Sequence, residues 1–279
     1  MPDALTATPT DVLIAALIGL LAGGGLNLLA DYLPFTARIR GPRYPDGTPR
    51  PVIASLGLTA YLFGRRKGPD GTALSVRHPL AELVTAGLFA AVAANSATPE
   101  RALFVMGCVF ILNLITIIDL EHRMILYIVV FPAYVYALIG AALLTPLLDP
   151  RIQFQDYLIG GALGFIVFGG MYLGGLLFSR VVAESRGEPL EEVAFGDGDV
   201  LLAILAGLML GWQAFIFAVT FAVLAGAAGA LVYMAARVVL RGRYEAFTAL
   251  PYGQYIVFGT LIMLLWRAPV IAFFFRMGG

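Results

Sequence analysis

Leu103-Phe104-Val105-Met106-Gly107-Cys108-Val109-Phe110-Ile111-Leu112-Asn113-Leu114-Ile115-Thr116-Ile117-Ile118 carries no charge and stops abruptly at Asp119-Leu120-Glu121-His122-Arg123. A run of this kind approaches the ~20 residues that a helix needs to cross ~30 Å of hydrocarbon. Its end places Asp119 where the helix meets the polar boundary. An ionisable side chain next to hydrocarbon is costly and marks function by default. A second carboxylate has the same setting: Asp199 closes Gly196-Asp197-Gly198-Asp199 just ahead of another apolar run. Both helix ends are expected to open toward the same side of the bilayer. Two carboxylates brought together there would share a proton and could activate water, which points to a proteolytic site.

Outward from this stretch, the chain is 60% hydrophobic and 13% charged, with a mean hydropathy of +0.87. Soluble domains carry roughly a quarter charged residues, so an integral membrane protein is expected. Apolar runs stand at 11–30, 79–97, 101–118, 124–147, 157–181, 198–212, 213–240 and 252–275. The third and sixth are short, and the sixth and seventh are divided at Gly211-Trp212-Gln213. The expected fold is all-α and polytopic, with about eight transmembrane helices. It divides into a first transmembrane helix over 1–30, a small cytoplasmic subdomain between helices 1 and 2 over 31–78, and a transmembrane core over 79–279.

Met1–Thr10 contains no basic residue and the first run lacks a small-residue cleavage pattern, so that segment is expected to remain as a helix. With the N-terminus outside, only Arg101, Arg151, Arg267 and Arg276 of the 18 Lys and Arg residues fall on the outer side. The excess of positive charge on inward loops favours this orientation and an even helix count. Both aspartates then face the cytoplasm. The net charge of zero gives no reason to expect nucleic-acid binding. Cys108, the one cysteine, excludes an intramolecular disulfide and a cysteine-based zinc site, and is expected to be a small packing residue.

The polar stretch 31–78 repeats one pattern, Arg43-Tyr44-Pro45-Asp46-Gly47-Thr48 and Lys67-Gly68-Pro69-Asp70-Gly71-Thr72. Pro-Asp-Gly is turn chemistry, because proline presets φ, aspartate caps the turn and glycine supplies positive φ. Two matching turns suggest a hairpin-like module, with Val52–Phe63 apolar enough to lie against the membrane or the bundle. The stretch Arg180–Phe195, rich in glutamate, reads as a solvated linker. Gly160-xxx-Gly164 and Gly170-xxx-Gly174 have the spacing of close helix contact.

Alone, Gly-x-Gly-Asp is a weak pattern, since aspartate often caps helices. Several segments in order are more specific. Gly24-Gly25-Leu26-Asn27 with Leu33-Pro34, Ser75 to Ala86, Ile118-Asp119-Leu120-Glu121-His122-Arg123-Met124-Ile125, Phe195-Gly196-Asp197-Gly198-Asp199-Val200 and Leu250-Pro251-Tyr252-Gly253-Gln254-Tyr255-Ile256 together resemble the type IV prepilin peptidase family. These are the bacterial Gly-x-Gly-Asp intramembrane aspartyl proteases, and the resemblance covers nearly the whole chain.

The resemblance implies that Asp119 and Asp199 are the catalytic pair, one protonated and one ionised. It makes Gly196, Gly198, Pro251 and Gly253 supports of the motif or of the substrate helix, and leaves Asp197 at a variable, dispensable position. Glu121 and His122 read as a solvated helix end. The implied substrates are prepilins or pseudopilins with a basic leader ahead of an apolar helix, cut after a glycine at the cytoplasmic face of the inner membrane. Implied partners are the pilus or type II secretion assembly machinery and membrane lipid. Proteolysis needs no cofactor. Many family members also methylate the new N-terminus with S-adenosylmethionine, and Asn27 and Glu82 are the retained positions that would serve a methyl donor.

The chain departs from the family in two places. Two Cys-x-x-Cys pairs usual in the first loop are replaced by Arg43-x-x-Asp46 and Lys67-x-x-Asp70, so no zinc is expected. The two turns are then expected to stand without metal, with Arg43 or Lys67 pairing to Asp46 or Asp70. Leu126-Tyr127 stands where the family shows Pro-Asp or Pro-Asn. Alternative readings are a peptidase without methyltransferase activity, a silent assembly scaffold, or a multi-helix transporter using the aspartates as ion or proton sites. No inverted repeat supports the transporter.

Overall fold

The computed structural model describes residues 7–36, 38–148, 152–186, 196–241 and 252–277. Among them are nine helices: α1 (Pro9–Tyr32), α2 (Gly57–Leu62), α3 (Arg77–Asn95), α4 (Pro99–His122), α5 (Tyr127–Leu148), α6 (Phe154–Arg186), α7 (Asp197–Leu210), α8 (Trp212–Arg241) and α9 (Tyr252–Met277). Every predicted apolar run is a helix, and α2 is a short addition. Six helices, α1, α4, α5, α6, α8 and α9, are long and apolar enough to cross a membrane. The protein is therefore an all-α integral membrane protein. The third run is not short, since α4 extends it by two residues at the start and through Asp119 to His122. The chain forms two compact units, Met1–His122 and Arg123–Gly279.

In the first unit, α1 begins with a capping box: Asp11 N–H donates to the Thr8 hydroxyl at 3.2 Å, and Thr8 N–H returns to the Asp11 carboxylate at 2.9 Å. Helix α1 then lies closely along α3. A Cβ at Gly23 would stand 2.5 Å from Glu82 Cα, so only glycine permits that approach. Cys108 is buried among Val105, Val109 and Leu112 on α4, as a small packing residue.

The repeated motif of the loop becomes two matched turns. Each is closed by an isolated bridge, Arg43 to Pro49 and Lys67 to Ala73. Asp46 Oδ1 accepts from Thr48 N–H at 2.8 Å and from its hydroxyl at 2.6 Å; Asp70 repeats this with Thr72 at 2.9 and 2.6 Å. Gly47 and Gly71 take φ of 84° and 86°, the left-handed conformation that glycine adopts without penalty. The two hydrogen bonds from Thr48 hold the Asp46 carboxyl below the usual carboxylate range. The expected cross-pairing does not form. Arg43 donates to the Gly47 carbonyl at 2.5 Å, and neither Arg43 nor Lys67 makes an ion pair with Asp46 or Asp70. Packing holds the module instead: Ala54, Ala60 and Leu74 form a small core with Tyr61, and Tyr44 ties the turns by donating to Arg65 O at 2.8 Å.

In the second unit, α7 packs against α5, α6, α8 and α9. Its side chains from Leu202 to Leu210 are nearly all buried. Gly164 lets α6 touch α7 so closely that a Cβ there would lie 2.5 Å from Ala203 O. Gly160 does the same against Gly207, whereas Gly170 and Gly174 face open space, so only the first of the two predicted glycine pairs makes helix contact. The division after α7 falls at Gly211, with φ of 74°, immediately before Trp212. Arg267 donates to Leu210 O at 3.0 Å at this end. Helix α6 continues to Arg186, so Arg180 and Glu184 belong to a helix rather than a linker; residues 187–195 lie outside the described residues.

Candidate active site

Asp119 occupies the last turn of α4 in the first unit and is half-buried. Helix C-terminal carbonyls create negative potential, so acidic residues there need compensation. A neighbouring cation supplies it. Arg77, at the start of α3, donates to Glu121 at 2.6 Å and also bridges Asp31 at the end of α1. His78 Nε2 lies 3.3 Å from the same Asp31 carboxylate. His122 meets Phe35 edge to face at 5.2 Å. Glu121 and His122 are thus both engaged, and Arg77, legible in the sequence only as a topological anchor, organises the end of α4.

Asp199 stands in the first turn of α7 in the second unit. Its carboxylate accepts from Gly196 N–H at 3.2 Å, and its own N–H donates to Gly196 O at 3.2 Å. The aspartate therefore caps the helix that carries it. Gly198 is confined by the α4–α5 connector: a Cβ there would lie 3.1–3.3 Å from the Ile125 side chain. Asp197 is fixed at both oxygens, accepting from Gly198 N–H at 3.0 Å and from the Tyr127 hydroxyl at 3.1 Å. One turn further on, Tyr134 on α5 donates to Leu201 O of α7 at 2.8 Å. Sequence reasoning marks Tyr127 as a departure but gives it no partner.

From α9, Tyr252 lies within electrostatic reach of Asp199 and packs its ring against Phe168 and Tyr255. Gly253 is buried in the same first turn. Pro251 falls outside the described residues, as does Phe195.

Asn27 and Glu82 come together inside the first unit, each 1% exposed. Glu82 accepts from Gly57 N–H at 2.6 Å, Leu58 N–H at 2.7 Å and Asn27 Nδ2 at 3.3 Å, while Asn27 Nδ2 also donates to His78 O at 2.9 Å. The pair joins α1 to α3 and caps α2. Arg50, 8% exposed, stands in the field of Asp31 and Glu82; burial lowers its pKa, and those carboxylates oppose the shift.

Residues 104–231 match the model of the Type IV leader peptidase family. A prepilin leader peptidase/N-methyltransferase of Aeromonas hydrophila is 28% identical over 220 residues, covering 78% of this chain and 68% of the relative. One from Myxococcus xanthus is 30% identical over 223 residues, covering 75% of this chain and 59% of the relative. A third, from Bacillus subtilis, is 26% identical over 268 residues and spans 95% of this chain and 98% of the relative. No solved structure gives a significant match. The matched segment contains Asp119, Gly196, Gly198 and Asp199.

Proposed function

From a chain that belongs to the type IV leader peptidase family, we propose a prepilin leader peptidase that cuts the basic leader from prepilins or pseudopilins at the cytoplasmic face of the inner membrane. Asp119 and Asp199 act as the catalytic dyad. The observation that carries this reading is their placement in helix-terminal turns of opposite polarity, Asp119 in the last turn of α4, which ends at His122, and Asp199 in the first turn of α7, which begins at Asp197. A helix N-terminus favours negative charge and a C-terminus disfavours it. Asp199 accordingly serves as the ionised base that takes a proton from water. Asp119 serves as the acid that polarises the scissile carbonyl and then protonates the leaving amine. Gly196 and Gly198 shape the turn that presents Asp199, and Tyr252, Gly253 and Pro251 seat the substrate helix. The mature product would pass to pilus or type II secretion assembly machinery.

Processing of a prepilin peptide by wild type, Asp119→Asn and Asp199→Asn, read by mass spectrometry of the new N-terminus, tests the dyad. Both substitutions should abolish cleavage, by a factor of about 10³ or more, since each removes an acid–base function worth 10²–10⁴. Wild-type rates in either variant would overturn the reading.

The names of the relatives also include N-methyltransferase. Glu82 does not fit direct contact with S-adenosylmethionine, because it is buried and its oxygens already accept two backbone N–H groups and the Asn27 amide, while Asn27 Oδ1 is buried without a hydrogen-bond partner. That observation favours peptidase activity alone, and the +14 Da signature of a methylated product should be missing from the same spectra. Zinc does not fit the first loop either: at the positions of the usual cysteines, Arg43 and Lys67 are cations, and Asp46 and Asp70 each give one carboxylate oxygen to their own threonine.

A further inference from the structure

We infer that Tyr127 and Asp197 form a positioning clasp for Asp199, which makes Asp197 a working residue rather than a dispensable one. The inference rests on the proposed role of Asp199. Three contacts hold the α4–α5 connector and the start of α5 along the start of α7, and they occur in order. Ile125 covers Gly198, the Tyr127 hydroxyl donates to Asp197 Oδ2 at 3.1 Å, and Tyr134 donates to Leu201 O at 2.8 Å. They secure the turns immediately before and after Asp199.

The clasp has a directional consequence. Asp197 and Asp199 are two residues apart in one helical turn, where their side chains diverge around the axis. With one oxygen on Gly198 N–H and the other on Tyr127, the Asp197 carboxylate is fixed on the α5 side. The Asp199 carboxylate meanwhile reaches back to Gly196 N–H. The Tyr127 ring is itself held by stacking on Phe131, with centroids 5.7 Å apart. Loss of the hydroxyl removes the tie between Asp197 and α5, leaving Ile125 against Gly198 and the Tyr134 bond to Leu201 O as the other two of these three contacts. Catalytic geometry tolerates little such freedom, because a misplacement of about 1 Å can cost 10²-fold in rate. Tyr127 and Asp197 are both exposed, so the bond acts by fixing direction rather than by its strength.

The test compares kcat and KM for prepilin peptide cleavage in wild type, Tyr127→Phe, Asp197→Ala, Asp197→Asn and the Tyr127→Phe/Asp197→Ala double variant, each scaled to folded enzyme by its thermal melt. Tyr127→Phe and Asp197→Ala should each lower kcat about tenfold with KM unchanged, within the loss that such misplacement can cause. Asp197→Asn keeps an oxygen acceptor and should retain at least half the wild-type kcat. The double variant should be no slower than Asp197→Ala alone, since that substitution already removes the acceptor of the Tyr127 hydroxyl. Wild-type kcat in Tyr127→Phe, or additive losses in the double variant, would overturn the clasp while an inactive Asp199→Asn still upheld the dyad. Cleavage by Asp199→Asn would remove the dyad and the clasp together.

Discussion

Glu82 illustrates how much a single residue can hold. Its carboxylate is buried and accepts from Gly57 N–H, Leu58 N–H and Asn27 Nδ2, so it joins α1, α2 and α3 at one point. Glu82→Ala would strand those donors in the interior, at a cost of about 1–3 kcal/mol per unsatisfied group. The thermal midpoint should drop markedly, with Glu82→Gln falling between wild type and alanine; a melt unchanged in Glu82→Ala would refute the structural role. The sequence marks Glu82 through resemblance to a family, whereas it marks Asp119 and Asp199 because each is an acid at the edge of an apolar run. It does not reveal the partners of Glu82, which are backbone groups 24 and 25 residues away. Nor does it reveal the clasp, which joins positions 70 residues apart through a hydroxyl that no hydropathy pattern registers.

At the scale of elements, the two Pro-Asp-Gly turns are closed by local chemistry. Each aspartate accepts twice from the threonine two residues later, and each glycine supplies the left-handed conformation. These bonds need no ion, so incubation with a strong chelator should leave the melting curve and peptide cleavage unchanged, and elemental analysis of the purified protein should find zinc well below one per chain. Stoichiometric zinc would refute this account. The turns are readable because their signals lie within six residues. Helix limits are less so: hydropathy ends the third run at Ile118, yet α4 continues through Asp119 to His122, where Arg77 compensates the acidic end. Arg123 then takes a φ of 53°, left-handed for a non-glycine residue, and breaks the helical path. Close helix contact is also only half legible, because Gly160 and Gly170 begin identical motifs but only the first meets another helix. Spacing identifies a small-residue face and leaves its neighbour unstated.

For the whole molecule, the topology proposed from the distribution of Lys and Arg has the N-terminus and the C-terminus on the outer side and loop 31–78 in the cytoplasm. In a Cys108→Ala background, an impermeant thiol reagent should label Ala97→Cys in intact cells and Asp70→Cys only after lysis; the reverse would invert the proposed topology. The helix count is legible because eight apolar runs must each find a place, whereas the lengths of those helices are not. Helix α7 has 14 residues between long neighbours, α6 with 33 and α8 with 30. At 1.5 Å per residue it measures about 21 Å, against ~30 Å of hydrocarbon. A rod that short leaves a shortfall of roughly 9 Å, and because α5, α6, α8 and α9 enclose it, the gap falls inside the bundle rather than against lipid. In the proposed topology, with Gly211 toward the outer leaflet, that missing length would fall above the Asp199 end and would form a recess through which water reaches the proposed base.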